Sequence, residues 1–381
     1  MVQKATDRPA LNSVQDRLTV LGIESSCDET AAAVITLGQD GEVKVLSSCV
    51  ASQNEDHAPY GGVVPEIAAR AHMRKIDNII QDAVQKSALA WSDIDGIAAT
   101  AGPGLIGGVM TGLMAAKGLA LALNIPLIAV NHLEGHALSA RLSEDCPFPY
   151  LLLLVSGGHT QLLSVEGVGR YTRLGSTIDD AAGEAFDKTA KLMNLGFPGG
   201  PALEHMARFG NANAFDLPKP LCQRPGADFS FAGLKTATRR ALEKADNSCE
   251  QLKADLAASF QKTVAEILAN RTANAMTMFT QSLSADTQAP YRFVVAGGVA
   301  ANSVIREALA QLCQAQGFDM FAPPLEFCGD NAAMIALAGA EHLARGHTDS
   351  LSARARPRWP LDEAQAISAP KSGYGKKGPK S

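Results

Sequence analysis

Apolar and polar positions fall in blocks along this 381-residue chain, and the blocks predict a hairpin-led α/β unit that occurs twice. LTVLGIES, from Leu18, is a strand by its leucine and β-branched content, SCDE is a polar tip and TAAAVITL is the returning strand. A polar loop follows. In GGVVPEIAARAHMRKIDNIIQDAVQKSAL apolar residues recur at helical spacing, and IDGIAATAGPG reads as a buried strand running into a Gly-Pro-Gly loop. Gly107 to Leu123 reads as a helix and PLIAVNH as a short strand. At Tyr150, about 130 residues after the first hairpin, the pattern restarts: YLLLLVSGGHTQLLSVEG is strand, glycine tip and strand. Long helical stretches come next, and YRFVVAGGVAANSVIREAL closes as strand, Gly-rich loop and helix. Internal duplication of this kind predicts two similar lobes with a ligand cleft between them. The alternative is one large mixed sheet.

Length and composition sharpen this picture. A chain about twice the usual ~100–200 residues of one domain has room for two domains with sizeable cores. Aromatic residues make up only 5%, which is poor stock for a carbohydrate cleft. The longest apolar stretch, Leu113 to Val130, is interrupted by Lys117, Asn124 and Pro126, so a soluble protein with no membrane span is expected. The first residues, MVQKATDRPALNSVQDR, lack an apolar core and carry two acids, which reads as a flexible lead-in and a cytoplasmic location. Seven cysteines without CxxC spacing fit reduced thiols. The net charge is −5, yet from Leu351 onward seven basic residues, Arg358 among them, face only Asp362 and Glu363, so a basic tail hangs from an acidic body. Lys371–Ser381 is expected to be disordered, either as an electrostatic contact to nucleic acid or as a passive terminus.

Three glycine-rich segments follow strands: AGPGLIGG (101–108), VSGGH (155–159) and AGGVAAN (296–302). Glycines let backbone N–H groups approach phosphate or carboxylate oxygens, and three such loops on strand ends imply a nucleotide site, although neither GxGxxG nor GxxxxGK[ST] is present. Gly157 and Gly298 are expected to serve by close approach and by positive φ. His132 and His136, four apart in NHLEGHALSA, share one face if helical and can grip one metal, with satisfied histidines as the competing reading. Asp330 in CGDNAAMIALAG, expected at a helix start, is a third candidate ligand or else an ordinary N-cap. Two histidines and a carboxylate with open positions suit Fe(II) and catalytic Zn²⁺. HLEGH is not HExxH, because Glu134 should point to the other side of the helix, which disfavours a peptidase. Asp179, Asp180, Glu184 and Asp187 cluster before a Gly-Pro turn, as a ribose acceptor or as a solvated helix face. Cys27 and Glu29 sit at the first hairpin tip, and Cys27 is a nucleophile only with a base beside it.

GIESSCDETAAAVI, GGVVPEIAARAH, AGPGLIGG, NHLEGH, LLLVSGGHTQL, IDDAAGEAFDKTAK, GFPGGP, FSFAGLKTA, VAGGVAANSVIRE and EFCGDNAAMIA occur in order. Together, over about Leu18 to Pro360, they resemble the tRNA N6-adenosine threonylcarbamoyltransferase family, the bacterial TsaD proteins and their relatives. The resemblance implies an α/β, actin-like and Hsp70-like ATPase fold of two duplicated lobes. The expected division is a lead-in over 1–17, a first lobe over 18–146, a second over 147–350 whose last helix is a candidate to return to the first, and a basic extension over 351–381, largely disordered after 370. It implies transfer of the threonylcarbamoyl group of threonylcarbamoyl-AMP to N6 of the adenosine following the anticodon, in tRNAs that read codons beginning with A, with release of AMP. One divalent metal per subunit, Fe(II) in preference to Zn²⁺, is implied on His132, His136 and Asp330. Substrate contacts carry over to Val155, Ser156, Gly157, Gly158, His159, Asp187, Gly200 and Asn302, and to Glu204 where relatives often have Asp. Cys27 and Glu29 are catalytic candidates only. Implied partners are tRNA, a TsaB-like paralogue forming a heterodimer, and a TsaE-like ATPase. A sugar- or acetate-kinase-like phosphotransferase using ATP is the alternative on the same fold, but it has no need of His132 and His136.

Overall fold

The computed structural model describes residues 17–243, 249–284 and 287–364. The first sheet is built from β1 (Arg17–Glu24), β2 (Glu29–Gly38), β3 (Val43–Ser52), β4 (Gly96–Gly102) and β5 (Leu127–Asn131), in the order β3-β2-β1-β4-β5. β1, β2 and β3 form an antiparallel meander, while β4 and β5 continue parallel to β1. The second sheet repeats this connectivity strand for strand. β6 (Tyr150–Val155), β7 (Thr160–Gly167) and β8 (Arg170–Ser176) form the meander, β9 (Tyr291–Ala296) and β10 (Phe318–Phe321) run parallel to β6, and the order is β10-β9-β6-β7-β8. Two sheets of one topology exclude the single mixed sheet and account for the internal repeat. The chain after β2, expected as a polar loop, is in fact β3, where VKVLSSCVAS pairs along the edge of β2.

The helices are α1 (Asn54–His57), α2 (Pro65–Lys86), α3 (Ile106–Leu123), α4 (His132–Leu138), α5 (Ala182–Leu192), α6 (Gly199–Ala207), α7 (Ala232–Glu243), α8 (Glu250–Ser282), α9 (Ser303–Gln316) and α10 (Ala332–Ala344). α2 and α3 cover one face of the first sheet, where Leu21, Ile23, Ile76, Ile80, Leu113 and Ala116 are buried together. α10 covers the other face, although it follows the second sheet in the chain. Its approach is close enough to require glycine: a Cβ on Gly22 would lie 2.3 Å from the Ala332 carbonyl oxygen, and one on Gly339 would lie 2.3 Å from Ala98 Cβ. Packing of this hydrophobic sandwich therefore carries the residues just before α10 back to the first lobe, beside α4.

α3 is long and apolar enough to cross a membrane by length and composition alone, with Lys117 interrupting it. Its inner face is buried against the first lobe through Val109, Leu113, Ala116 and Ala120. Residues 353–363 form a strap across the first lobe, in which Arg356 N–H donates to the Ala101 carbonyl (2.7 Å) and Asn131 Nδ2 donates to the Trp359 carbonyl (3.0 Å). Lys371–Ser381 lies outside the described residues, as does the lead-in apart from Arg17, which opens β1. All seven cysteines are free thiols.

Candidate functional site

A cavity of about 1440 Å³ separates the two lobes, and the tips of both leading hairpins open into it. β1 and β2 pair up to Glu24–Ala31, leaving Ser25 to Asp28 as one tip, and β6 and β7 pair up to Val155–Thr160, leaving Ser156 to His159 as the other. The first-lobe wall includes Cys27, Asp28, Glu29, Gly104, His132 and Asp330. The second-lobe wall includes Ser156, Gly157, Gly158, His159, Asp187, Gly200, Glu204, Gly298 and Asn302.

His132 and His136 sit on α4, whose N-cap Asn131 accepts from Leu133 N–H at 2.9 Å and so starts the helix at His132. The imidazoles share one face. His136 Nε2 lies 3.0 Å and His132 Nε2 lies 3.5 Å from the same oxygen, Asp330 Oδ1. All three donors fall within 4.8 Å of one another, the arrangement that the i, i+4 spacing permits and that α10 completes. Asp330 is not the cap of α10: Asn331 takes that role, accepting from Met334 N–H at 3.0 Å, which leaves the Asp330 carboxylate free to face the histidines. Glu134 points away from them and accepts from Tyr171 Oη (2.8 Å), Gly169 N–H (2.9 Å) and His342 Nε2 (2.9 Å).

A buried carboxylate behind His132 fixes this set. Glu24, wholly buried at the end of β1, accepts from His132 Nδ1 at 2.9 Å, Thr100 Oγ1 at 2.6 Å and Ser26 N–H at 2.5 Å. With Nδ1–H committed to Glu24, Nε2 is the nitrogen that faces Asp330, and loss of its proton would leave there the lone pair that a metal needs. Burial resists charging of the His132 imidazole, yet Glu24 and Asp330 outweigh it and push its pKa up to about 9. Burial likewise opposes ionisation of Asp330, but His132 and His136 hold its carboxyl well below the usual range. Two carboxylates around one imidazole call for positive charge, and two imidazole nitrogens plus one carboxylate oxygen are a fitting donor set for a divalent transition metal.

The other expected residues divide. Gly157, Gly158, Gly200 and Gly298 line the cleft, and a Cβ on any of them would meet nothing within 4 Å. None of these four has positive φ, so their expected conformational role is corrected to close approach alone. Asp187 Oδ1 accepts from Gly199 N–H at 3.0 Å, and burial raises its pKa. Asn302 caps α9 (Ile305 N–H, 3.1 Å) and donates to Gln261 Oε1 (2.9 Å), while Glu204 accepts from Ser303 N–H (3.1 Å) and Ser303 Oγ (2.7 Å). These two side chains thus frame the start of α9. Val155 is not brought to the cleft, since its side chain is wholly buried in the second-lobe core. Burial and the Asp28 and Asp330 carboxylates push the Cys27 thiol well up, so it is no ready nucleophile. The same causes raise Glu29 to about 10. Of the acidic cluster, Asp179 is committed to Ser230 Oγ and Phe231 N–H, and Asp180 and Glu184 bind Lys188.

Sequence reasoning missed Glu24 and Thr100. The available signal was an acid ending the buried run LTVLGIE, where a charge has to find a partner.

The open glycines give a direct test. Gly157→Val and Gly298→Val fold normally and weaken binding of an AMP analogue at least tenfold by calorimetry, because the new side chain fills space that backbone donors need. Gly183→Val destabilises the fold instead, as its Cβ would lie 2.7 Å from both Gly157 Cα and the Ser156 carbonyl oxygen. Unchanged affinity in the first two removes these loops from the site.

The duplicated sheets, the interlobe cleft and the His-His-Asp set define an actin-like fold with a candidate metal centre. HypF of T. kodakarensis shares this fold at TM-score 0.59 and 16% identity, over 87% of this chain and 48% of that protein. Residues 44–337 match the tRNA N6-adenosine threonylcarbamoyltransferase (TsaD) family, and the chain belongs to that family of transferases. The protein of that name from Maricaulis maris (strain MCS10) is 61% identical over 95% of this chain and 96% of its own length, and that from Caulobacter vibrioides is 56% identical over 96% and 98%. The phosphotransferase alternative is not favoured.

Proposed function

We propose that this chain transfers the threonylcarbamoyl group of threonylcarbamoyl-AMP to N6 of the adenosine following the anticodon in tRNAs reading codons that begin with A, with release of AMP. The observation that carries the site assignment is the convergence of His132, His136 and Asp330 beside a cleft whose opposite wall is lined by open glycines. Those three side chains would hold one divalent ion, Fe(II) in preference to Zn²⁺, which supplies Lewis acidity and a template for a carbonyl oxygen. Exocyclic N6 of adenine is a weak nucleophile, so the protein's contribution is positioning. Ser156–His159, Gly200 and Gly298 receive the adenylate through backbone donors, with Asp187, Glu204 and Asn302 framing its pocket. Cys27, on the facing tip, and Glu29, at the start of β2, are the candidates for contact with the reacting group.

The acidic body is a poor lone partner for tRNA, which favours a cytoplasmic assembly with a TsaB-like paralogue and a TsaE-like ATPase. α3 offers a surface for the paralogue: Ile106, Met110, Met114 and Leu121 are exposed along one face, and Met73 of α2 is also exposed. Depleting the protein and measuring tRNA nucleosides by mass spectrometry tests the reaction. Loss of N6-threonylcarbamoyladenosine is expected, and an unchanged level would overturn the reading.

A further inference from the structure

The cleft has a charge problem. Asp28, Glu184, Asp187, Glu204 and Asp330 all line it, yet both ligands of the proposed reaction carry phosphate. Cations in the same wall are mostly spent. Lys188 is bound by Asp180 (2.7 Å) and Glu184 (3.1 Å), and Lys191 Nζ donates to the carbonyls of Tyr60 (3.4 Å) and Gly61 (3.5 Å). Arg173 is engaged as well. Arg358 differs: it is exposed and lines the cleft, and among the described residues it makes no ion pair or hydrogen bond.

Its backbone, in contrast, is held on both sides. Gly104 N–H donates to the Pro357 carbonyl at 3.3 Å, and Trp359 is tied down by Asn131 through its carbonyl and by the Arg356 guanidinium 4.3 Å above its ring. Arg356 is itself paired with Glu363 at 2.5 Å, and a Cβ on Gly102 would collide with the Arg356 carbonyl oxygen, so the strap fits closely. Two prolines, Pro357 and Pro360, further restrict the chain. A fixed backbone thus presents one guanidinium without a partner among the described residues, on the first-lobe side of the cleft that also carries His132 and Asp330.

We propose that Arg358 is a phosphate-binding residue of this cleft, gripping an oxyanion through its planar fork of N–H donors. The phosphate is supplied either by the tRNA backbone beside the target adenosine or by the adenylate. Guanidinium suits this role because it pairs bidentately with phosphate and is weakly hydrated. In an acidic cleft, one such contact also offsets repulsion of the incoming polyanion. The inference rests on the transfer reaction proposed above.

The test uses the full-length, metal-loaded protein with its partner proteins and compares wild type, Arg358→Gln and Arg358→Lys. Two probes are titrated: an unmodified tRNA that reads an A-starting codon, across a salt series, and AMP. Thermal melting and metal content report on the fold and are expected to match wild type. If the phosphate is that of tRNA, Arg358→Gln weakens tRNA binding about tenfold and lowers the slope of log K against log salt by about one, with AMP affinity unchanged. If it is that of the adenylate, AMP affinity falls by a similar factor and the tRNA slope stays. Arg358→Lys keeps the salt slope but not the full affinity, because the charge remains and the fork is lost. Wild-type affinities for both probes in Arg358→Gln overturn the proposal while leaving the transfer reading intact. Failure of the wild-type assembly to bind either probe overturns that reading and this proposal with it.

Discussion

Asp330→Asn gives a folded protein that no longer retains a divalent ion and is nearly inactive in threonylcarbamoyl transfer. Asp330 Oδ1 is the atom that His132 Nε2 and His136 Nε2 both face, at 3.5 and 3.0 Å, so the substitution removes the anionic member of the donor set while preserving its shape. Losing a partner one shell further out costs about 10–100-fold in metal affinity, and a lost ligand costs more. Lewis-acid stabilisation supplies several kcal/mol at a transition state, so kcat/KM should fall by about a thousandfold or more. His136→Ala behaves in the same way. Elemental analysis after gel filtration checks the first half and a transfer assay the second. A variant that keeps a full complement of metal would show that the three residues are not its ligands.

The stakes of that experiment follow from how the site is assembled. Hairpin tips and glycine loops were legible because each is local: a buried strand such as YLLLLV can only end where SGGH turns it, and the turn faces the cleft whichever helix packs behind. The HxxxH spacing was legible for the same reason, since a single helix turn decides it. Asp330 entered only as a candidate, because nothing in CGDNAAMIALAG states which sheet the following helix covers. That is decided by Gly22 and Gly339, whose missing side chains let α10 lie against β1 and β4. β3 was hidden by its own composition: VKVLSSCVAS mixes Lys, Ser and Cys into an edge strand that is only partly buried. The strap of residues 353–363 read as a basic extension because its cohesion lies in backbone hydrogen bonds to Ala101, Gly104 and Asn131, which charge counting does not register.

Glu24→Gln separates support of the metal from binding of it. In wild type the carboxylate accepts three times, from His132 Nδ1 and Thr100 Oγ1 on one oxygen and from Ser26 N–H on the other. An amide cannot satisfy all three. If its NH₂ takes the first position, it donates to His132 Nδ1, which moves the imidazole proton to Nε2 and blocks the lone pair that faces Asp330. If it takes the second, it confronts Ser26 N–H, a buried donor left without an acceptor at a cost of about 1–3 kcal/mol. The expected outcome is a protein destabilised by roughly that amount, whose metal affinity, measured by chelator competition, falls about 10–100-fold while His136 and Asp330 stay in place. Thr100→Val is the control: it removes one donor to the same carboxylate without touching the imidazole, so it costs stability and leaves metal affinity near wild type. Equal metal affinity in Glu24→Gln and wild type would mean that the buried carboxylate serves only to join β1 to β4, and that the tautomer of His132 is fixed by another group.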